Sequence, residues 1–164
     1  LPGNFSLTPG AHTVRIDEVL REQANRWCDK EKYPNIELAL ELNCGDTEVP
    51  ISRGGLEIPL EKLINNALKA MGGNGTLTVR SARHGDQVEA QVQDTGKGIP
   101  HEIVHNYLLK KPVPKPTSKE GNGLGLLIAQ EVLEAHGGDL VLFRTVVGEG
   151  TTFIFYLPVA SKGD

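Results

Sequence analysis

A chain of 164 residues, 38% hydrophobic and 23% charged, has enough apolar material for one globular domain with its own core and too little for two. Its formal net charge of −4 argues against non-specific nucleic-acid binding, no apolar run reaches the length of a membrane span, and no signal peptide is visible. Its two cysteines, Cys28 and Cys44, have no close metal-ligand spacing and no disulfide framework, and they read as free thiols of a reducing compartment.

The chain begins at Leu1 and not at Met, which reads as a piece of something longer. Residues 1–13, rich in Gly, Pro, Ser and Thr, are expected to be a linker or lead-in. Val14–Ile16 reads as a short edge strand. Asp17 then serves as N-cap of a helix over 18–31, which Pro34 ends. Ile36–Leu42 alternates like a strand, and Val49–Ser52 is a second short strand. Leu56, Leu60, Leu63, Ile64, Ala67, Leu68 and Met71 mark the apolar face of a long helix stopped by Gly72-Gly73-Asn74-Gly75. Off that face lie Lys62, Asn66, Lys69 and Ala70. Two adjacent asparagines, Asn65 and Asn66, stand mid-helix against their poor propensity; as surface residues they need no function, and as a pair off the apolar face they are site candidates.

Thr76–Ala82 and Gln87–Gln93 alternate cleanly around a turn at His84-Gly85-Asp86, a hairpin pattern. Pro100 opens a helix over 101–109. Residues 110–120 hold four lysines and three prolines and exclude both regular helix and central strand. A helix follows over 122–136, with Leu124, Leu127, Ile128, Val132 and Ala135 as its expected buried stripe and Gly137-Gly138 as its cap. Strands over Leu140–Thr145 and Thr151–Leu157 flank the turn Val147-Gly148-Glu149-Gly150. The tail Ser161–Asp164 is polar. Strands interrupted by helices, with a hairpin among them, predict an α/β two-layer sandwich: a mixed, mainly antiparallel sheet with about three helices on one face.

Two glycine clusters sit at element boundaries. Asp94-Thr95-Gly96-Lys97-Gly98 leaves a strand, and Gly121-Asn122-Gly123-Leu124-Gly125 enters a helix. Glycines let backbone amides turn toward an anion, and a helix start adds its dipole. The pairing points to a bound nucleotide, with the Lys/Pro segment between the clusters as its lid.

Four blocks in fixed order carry a resemblance. They are Asn66-Ala67 on a helix, Asp94 to Pro100 after a strand, Gly121 to Leu126 before a helix, and Gly148-Glu149-Gly150-Thr151-Thr152-Phe153 before the last strand. Together they resemble the catalytic ATP-binding domain of sensor histidine kinases, within the wider family that holds gyrase, the heat-shock chaperone ATPases and the mismatch-repair ATPases. The likeness covers 14–158, with 1–13 as upstream remnant and 159–164 as tail, and implies the Bergerat-type ATP-binding fold. It implies ATP and Mg2+ as ligands. Asp94 would accept from the adenine amine, Gly96 and Gly98 would shape the base pocket, and Gly121, Gly123, Leu124 and Gly125 would form the phosphate block. Asn66 would be the Mg2+ ligand, Lys69 a phosphate contact, and Thr152 a residue near the pocket floor. Thr117-Ser118-Lys119 resembles the Thr-Thr-Lys of one kinase subgroup, which makes Lys119 a second phosphate contact.

Departures from the family pattern are equally specific. The polar residue, commonly Asn, one turn before the key Asn is Lys62, and the aromatic four residues after it is Ala70. Hydrolytic members place a Glu where Lys62 stands, which favours the kinase reading over the ATPase one. A third reading is a degenerate nucleotide-binding or docking module. His12, His84, His101, His105 and His136 read as surface residues, so the phosphoacceptor histidine is expected on an upstream dimerisation domain outside this chain, with a response regulator as further partner. No acid/base residue is assigned. The resemblance implies a cytoplasmic location, alone or as the cytoplasmic part of a membrane sensor, with no membrane or nucleic-acid contact by this domain.

Overall fold

The two alternating runs on either side of Gly85 pair as an antiparallel hairpin, Val79 opposite Val92, and the sheet extends outward from it. The computed structural model describes residues 12–108 and 124–161. In chain order the elements are β1 (Val14–Arg15), α1 (Ile16–Trp27), β2 (Ile36–Leu42), β3 (Glu48–Val49), α2 (Arg53–Met71), β4 (Gly75–His84), β5 (Gln87–Asp94), α3 (His101–Leu108), α4 (Leu124–Ala135), β6 (Asp139–Val146) and β7 (Gly150–Pro158). Five strands form one sheet in the order β2-β4-β5-β7-β6. β2 runs parallel to β4, and the other pairings are antiparallel. β1 and β3 make a separate ribbon, with Val14 opposite Val49.

Strand alternation sorts the sheet into two faces. Leu77 and Val79, then Val88, Ala90 and Val92, then Phe153, Phe155 and Leu157 pack into one core with α1, α2 and α4. This is the expected two-layer sandwich with a mixed, mainly antiparallel sheet. α2 is the central helix. It buries Leu56, Leu60, Leu63, Ile64 and Leu68, each worth about 1.5–3 kcal/mol removed from water. Its start is capped by Ser52, whose Oγ accepts from the Gly55 amide at 3.0 Å. Its end is capped by Gly72 in the left-handed region. A helix held this firmly is a suitable ruler for a site. Among the described residues no helix is long and apolar enough to cross a membrane.

The structure corrects several local expectations. Asp17 is not the N-cap of α1; Arg15 holds that position without a side-chain cap bond. Asp17 is instead buried, accepting from the Cys44 amide at 2.8 Å and from Ser81 Oγ at 2.6 Å. It ties α1 to β4 and to the loop after β2. α1 stops at Trp27, well before Pro34, because Asp29 to Lys32 offers no apolar residue to bury. The short strand near 49 ends at Val49, since Ser52 is taken by the cap of α2. On α4 the buried residues are Leu126, Ala129 and Leu133. Leu127 and Val132 are half-buried, Ala135 is exposed, and Ile128 is 40% exposed. The first half of α4, Leu124 to Ala129, carries no polar residue to set its phase; packing on α2 selects the turn in which small Ala129 is buried and Glu131 and Glu134 are exposed. The Lys/Pro segment lies outside the described residues.

Candidate functional site

One row of α2 links the two glycine clusters. Lys62, Asn66 and Ala70 stand at i, i+4 and i+8, and therefore on one side of the helix. At one end a Cβ on Gly125, the second residue of α4, would stand 3.6 Å from Lys62 Cδ. At the other end the Lys97 amide donates to the Ala70 carbonyl at 3.0 Å. A Cβ on Gly96 would come within 2.5 Å of that carbonyl's carbon and oxygen, so only glycine allows the loop this close to α2. Half-buried Asn66 lies midway. Eight residues of helix span about 12 Å, which is the separation of a purine base from the end of a triphosphate chain in order of magnitude.

Asp94 closes β5 and sits opposite Thr151. It is only 4% exposed. Its Oδ1 accepts from the Gly96 amide at 2.8 Å, and the Thr151 amide also hydrogen-bonds it. Burial pushes its carboxyl above the usual carboxylate range, and those two amides oppose the shift without cancelling it. A carboxylate has more acceptor capacity than two amides use. A donor arriving with a ligand would therefore be welcome in this dry position.

The loop beyond Asp94 is fastened to the far side of the sheet. The Gly98 backbone has φ +75°, and a Cβ there would meet the Val146 carbonyl oxygen at 2.4 Å. The Gly148 amide donates to the Lys97 carbonyl at 2.8 Å, and the Ile99 amide donates to Thr145 Oγ1 at 2.9 Å. Thr145 and Thr151 hydroxyls stand 2.8 Å apart. A bulge between Leu142 and Arg144 absorbs one residue of β6, so that Leu142 and Thr145 both face the helices.

The structure brings together Asp94, Gly96, Gly98, Asn66 and Gly125. It does not bring Thr152 to them. Thr152 pairs with Gln93 and, by alternation, faces away from the helices, whereas Thr151 pairs with Asp94 on the helix side. Thr145 and Thr151 were the residues missed. The signal for Thr151 was present: Phe153, Phe155 and Leu157 are the apolar positions of β7, and odd numbering carries their face back to 151. Lys69 is exposed in the last turn of α2. Lys119, Gly121 and Gly123 lie outside the described residues, as does the side chain of Leu124.

Among the described residues no three His, Cys, Asp or Glu side chains could share a metal ion. The Asn66 side-chain oxygen alone suits Mg2+, which keeps waters and phosphate oxygens as most of its ligands and takes few from protein. The row on α2, the buried acceptor and the helix start at α4 fit a nucleoside triphosphate with its metal.

The family described as "Histidine kinase-, DNA gyrase B-, and HSP90-like ATPase" matches residues 53–161. The chain is 30% identical over 142 residues to the alginate biosynthesis sensor protein KinB of Pseudomonas aeruginosa, covering 87% of this chain and 24% of that protein. It is 33% identical over 132 residues to the sensor histidine kinase WalK of Bacillus subtilis, covering 77% of this chain and 21% of that one. It thus spans about a quarter or less of the length of these relatives. Among solved structures, the nucleotide-free catalytic domain of histidine kinase ThkA superposes with a TM-score of 0.73 at 27% identity, covering 89% of this chain and 93% of that one.

Proposed function

This chain belongs to the family of histidine kinase-, DNA gyrase B- and HSP90-like ATPases, and on that premise we propose that it is the ATP-binding catalytic domain of a sensor histidine kinase, donating the ATP γ-phosphate to a histidine on a helical dimerisation domain that the chain does not contain. The observation that carries this reading is the row Lys62–Asn66–Ala70, which runs from the glycine at the start of α4 to the loop behind Asp94.

Asp94 accepts from the adenine amine and selects the base, since a buried acceptor discriminates strongly against a ligand that cannot donate. Gly96 and Gly98 hold the loop against α2 and β6 and so fix the wall of the base pocket. The amides at the start of α4 face the phosphates. Asn66 offers its side-chain oxygen to Mg2+. That ion, when bound, neutralises charge on the β- and γ-phosphates. Lys69 and Lys119 contribute point charges to the same phosphates. In the transfer the bond from the γ-phosphorus to its bridging oxygen breaks, a P–N bond to the acceptor imidazole forms, and ADP leaves. Positioning and charge neutralisation supply most of such catalysis, and closure of the two domains brings donor and acceptor together. A response regulator is the next acceptor, and the site of action is cytoplasmic.

Lys62 opposes a hydrolytic ATPase reading, because a cation stands where a water-activating carboxylate would be needed. The test is calorimetric titration of Mg-ATP, ADP and GTP into the chain and into Asp94→Ala. Adenine-selective binding, lost in the variant, is expected. The chain joined to its acceptor domain is then expected to form acid-labile phosphohistidine. Absence of binding at millimolar ATP would overturn the reading in favour of a docking module.

A further inference from the structure

We propose that Lys62 is a phosphate-binding residue of this site and takes over part of the work of the divalent cation, so that ATP binding here depends weakly on Mg2+. The proposal rests on the ATP-site reading above and deepens it.

The Lys62 stem is laid along the start of α4, with Cδ, Cγ and Cβ 3.6, 4.0 and 3.9 Å from the place of a Gly125 Cβ. The ammonium lies two bonds beyond Cδ. Gly125 leaves this side of α4 free of a side chain, and the stem runs at ordinary contact distance from where a Cβ would stand. Two positive features therefore lie near one another. One is the Lys62 ammonium; the other is the helix start, where the first amides have no partner within the helix and carry its partial positive charge.

Among the described residues no ion pair to Lys62 offsets them. The first turn of α4 has no acidic residue. The neighbours of Lys62 at three and four residues either side are Ile58, Pro59, Asn65 and Asn66, none of them acidic. The ion pairs among the described residues use Arg53, Arg80 and His84, and Lys62 is in none of them. A lysine held against a helix N-terminus without a carboxylate is an arrangement that an anion relieves. The triphosphate supplies it.

The same placement weighs against the metal. Asn66 lies one turn along the same row, so Mg2+ on its oxygen would share the phosphates with the cation of a neighbouring side chain. Part of the neutralisation that a divalent ion supplies is then already present in the protein.

The experiment is equilibrium titration of ATP and of adenosine into wild type, Lys62→Asn and Lys62→Arg, each with Mg2+ and with EDTA. Wild type in EDTA is expected to keep ATP affinity within about tenfold of its Mg2+ value. Lys62→Asn is expected to lose about a further tenfold or more in EDTA, the scale of a charge-assisted hydrogen bond, and Lys62→Arg is expected to recover most of it. Adenosine reads the Asp94 pocket alone and is expected to bind all three equally. Equal ATP binding by wild type and Lys62→Asn in EDTA, with adenosine bound, overturns this proposal alone, as does complete loss of wild-type ATP binding in EDTA. Failure of wild type to bind either adenosine or Mg-ATP overturns both this proposal and the ATP-site reading beneath it.

Discussion

Gly96 and Gly125 belong to the same kind of motif yet are glycine for opposite reasons, and alanine at each is expected to act with opposite sign. At Gly96 the added Cβ falls 2.5 Å from the Ala70 carbonyl carbon and oxygen and 2.9 Å from its Cβ. The obstacle is the backbone of α2, which cannot rotate aside. Overpacking of this kind costs about 1–3 kcal/mol. Displacement of the loop also breaks the 3.0 Å bond from the Lys97 amide to Ala70, worth about 1 kcal/mol. Gly96→Ala is therefore expected to lose about 2–4 kcal/mol, or roughly 5–15 °C in Tm for a domain of this size. At Gly125 the nearest atom, Lys62 Cδ, is 3.6 Å away, an ordinary contact with a flexible side chain. Gly125→Ala is expected to gain up to about 1 kcal/mol from helix propensity while weakening ATP binding, because the new methyl group stands beside the phosphate approach. Urea unfolding at constant m-value reads the first effect and calorimetry the second. A Gly96→Ala protein within about 1 °C of wild type, or a Gly125→Ala protein destabilised as much as Gly96→Ala, refutes the distinction between a glycine kept for packing and a glycine kept for the ligand.

Asp94→Asn separates stability from binding. The folded carboxyl is raised by burial, so the native state holds its proton to higher pH than the unfolded chain, and wild-type stability falls as pH rises from the ordinary carboxylate value through the raised one. The variant lacks this slope; urea midpoints across pH are expected to coincide in acid and to favour Asp94→Asn at neutral pH, while adenine nucleotide binding is lost. Equal midpoints at neutral pH would count against a dry carboxylate. Thr145→Val removes the acceptor of the Ile99 amide and the partner of the Thr151 hydroxyl, at an expected loss of about 1–2 kcal/mol, read by thermal unfolding. Asp17→Ala leaves the Cys44 amide and the Ser81 hydroxyl without their buried acceptor and is expected to lose about 2–4 kcal/mol with nucleotide affinity unchanged after correction for the folded fraction.

Legibility from sequence followed the strength of local pattern. The paired strands around Gly85 and the apolar face of α2 were readable because one face of each is buried and the other wet, which leaves a clean period. Asp94, Asn66 and the glycine clusters stood out as site candidates because their order along the chain is as specific as their identity. The phase of α4 was not readable, because Leu124 to Ala129 carries no polar residue and contact with α2 decides which side is buried. Asp17 was misread because a carboxylate beside a helix start is equally a cap or a buried acceptor; its partners, Cys44 and Ser81, are 27 and 64 residues away. The convergence of Lys62 with Gly125 and of Ala70 with Gly96 is likewise tertiary.

The bulge at Phe143 has a colloidal consequence. β6 is one edge of the five-stranded sheet, and an edge strand offers its free amides and carbonyls to any other chain that can lie alongside. Phe143, 64% exposed, would make that offer attractive to apolar strands. The extra residue there breaks the even spacing of the outward-facing groups, and the next residue, Arg144, is an exposed charge. A regular strand from a neighbouring molecule cannot keep register across it. The irregularity that lets Thr145 face inward thus also keeps this edge from templating a larger sheet, and a variant with Phe143 deleted would keep the fold's internal pairing while losing that protection against aggregation.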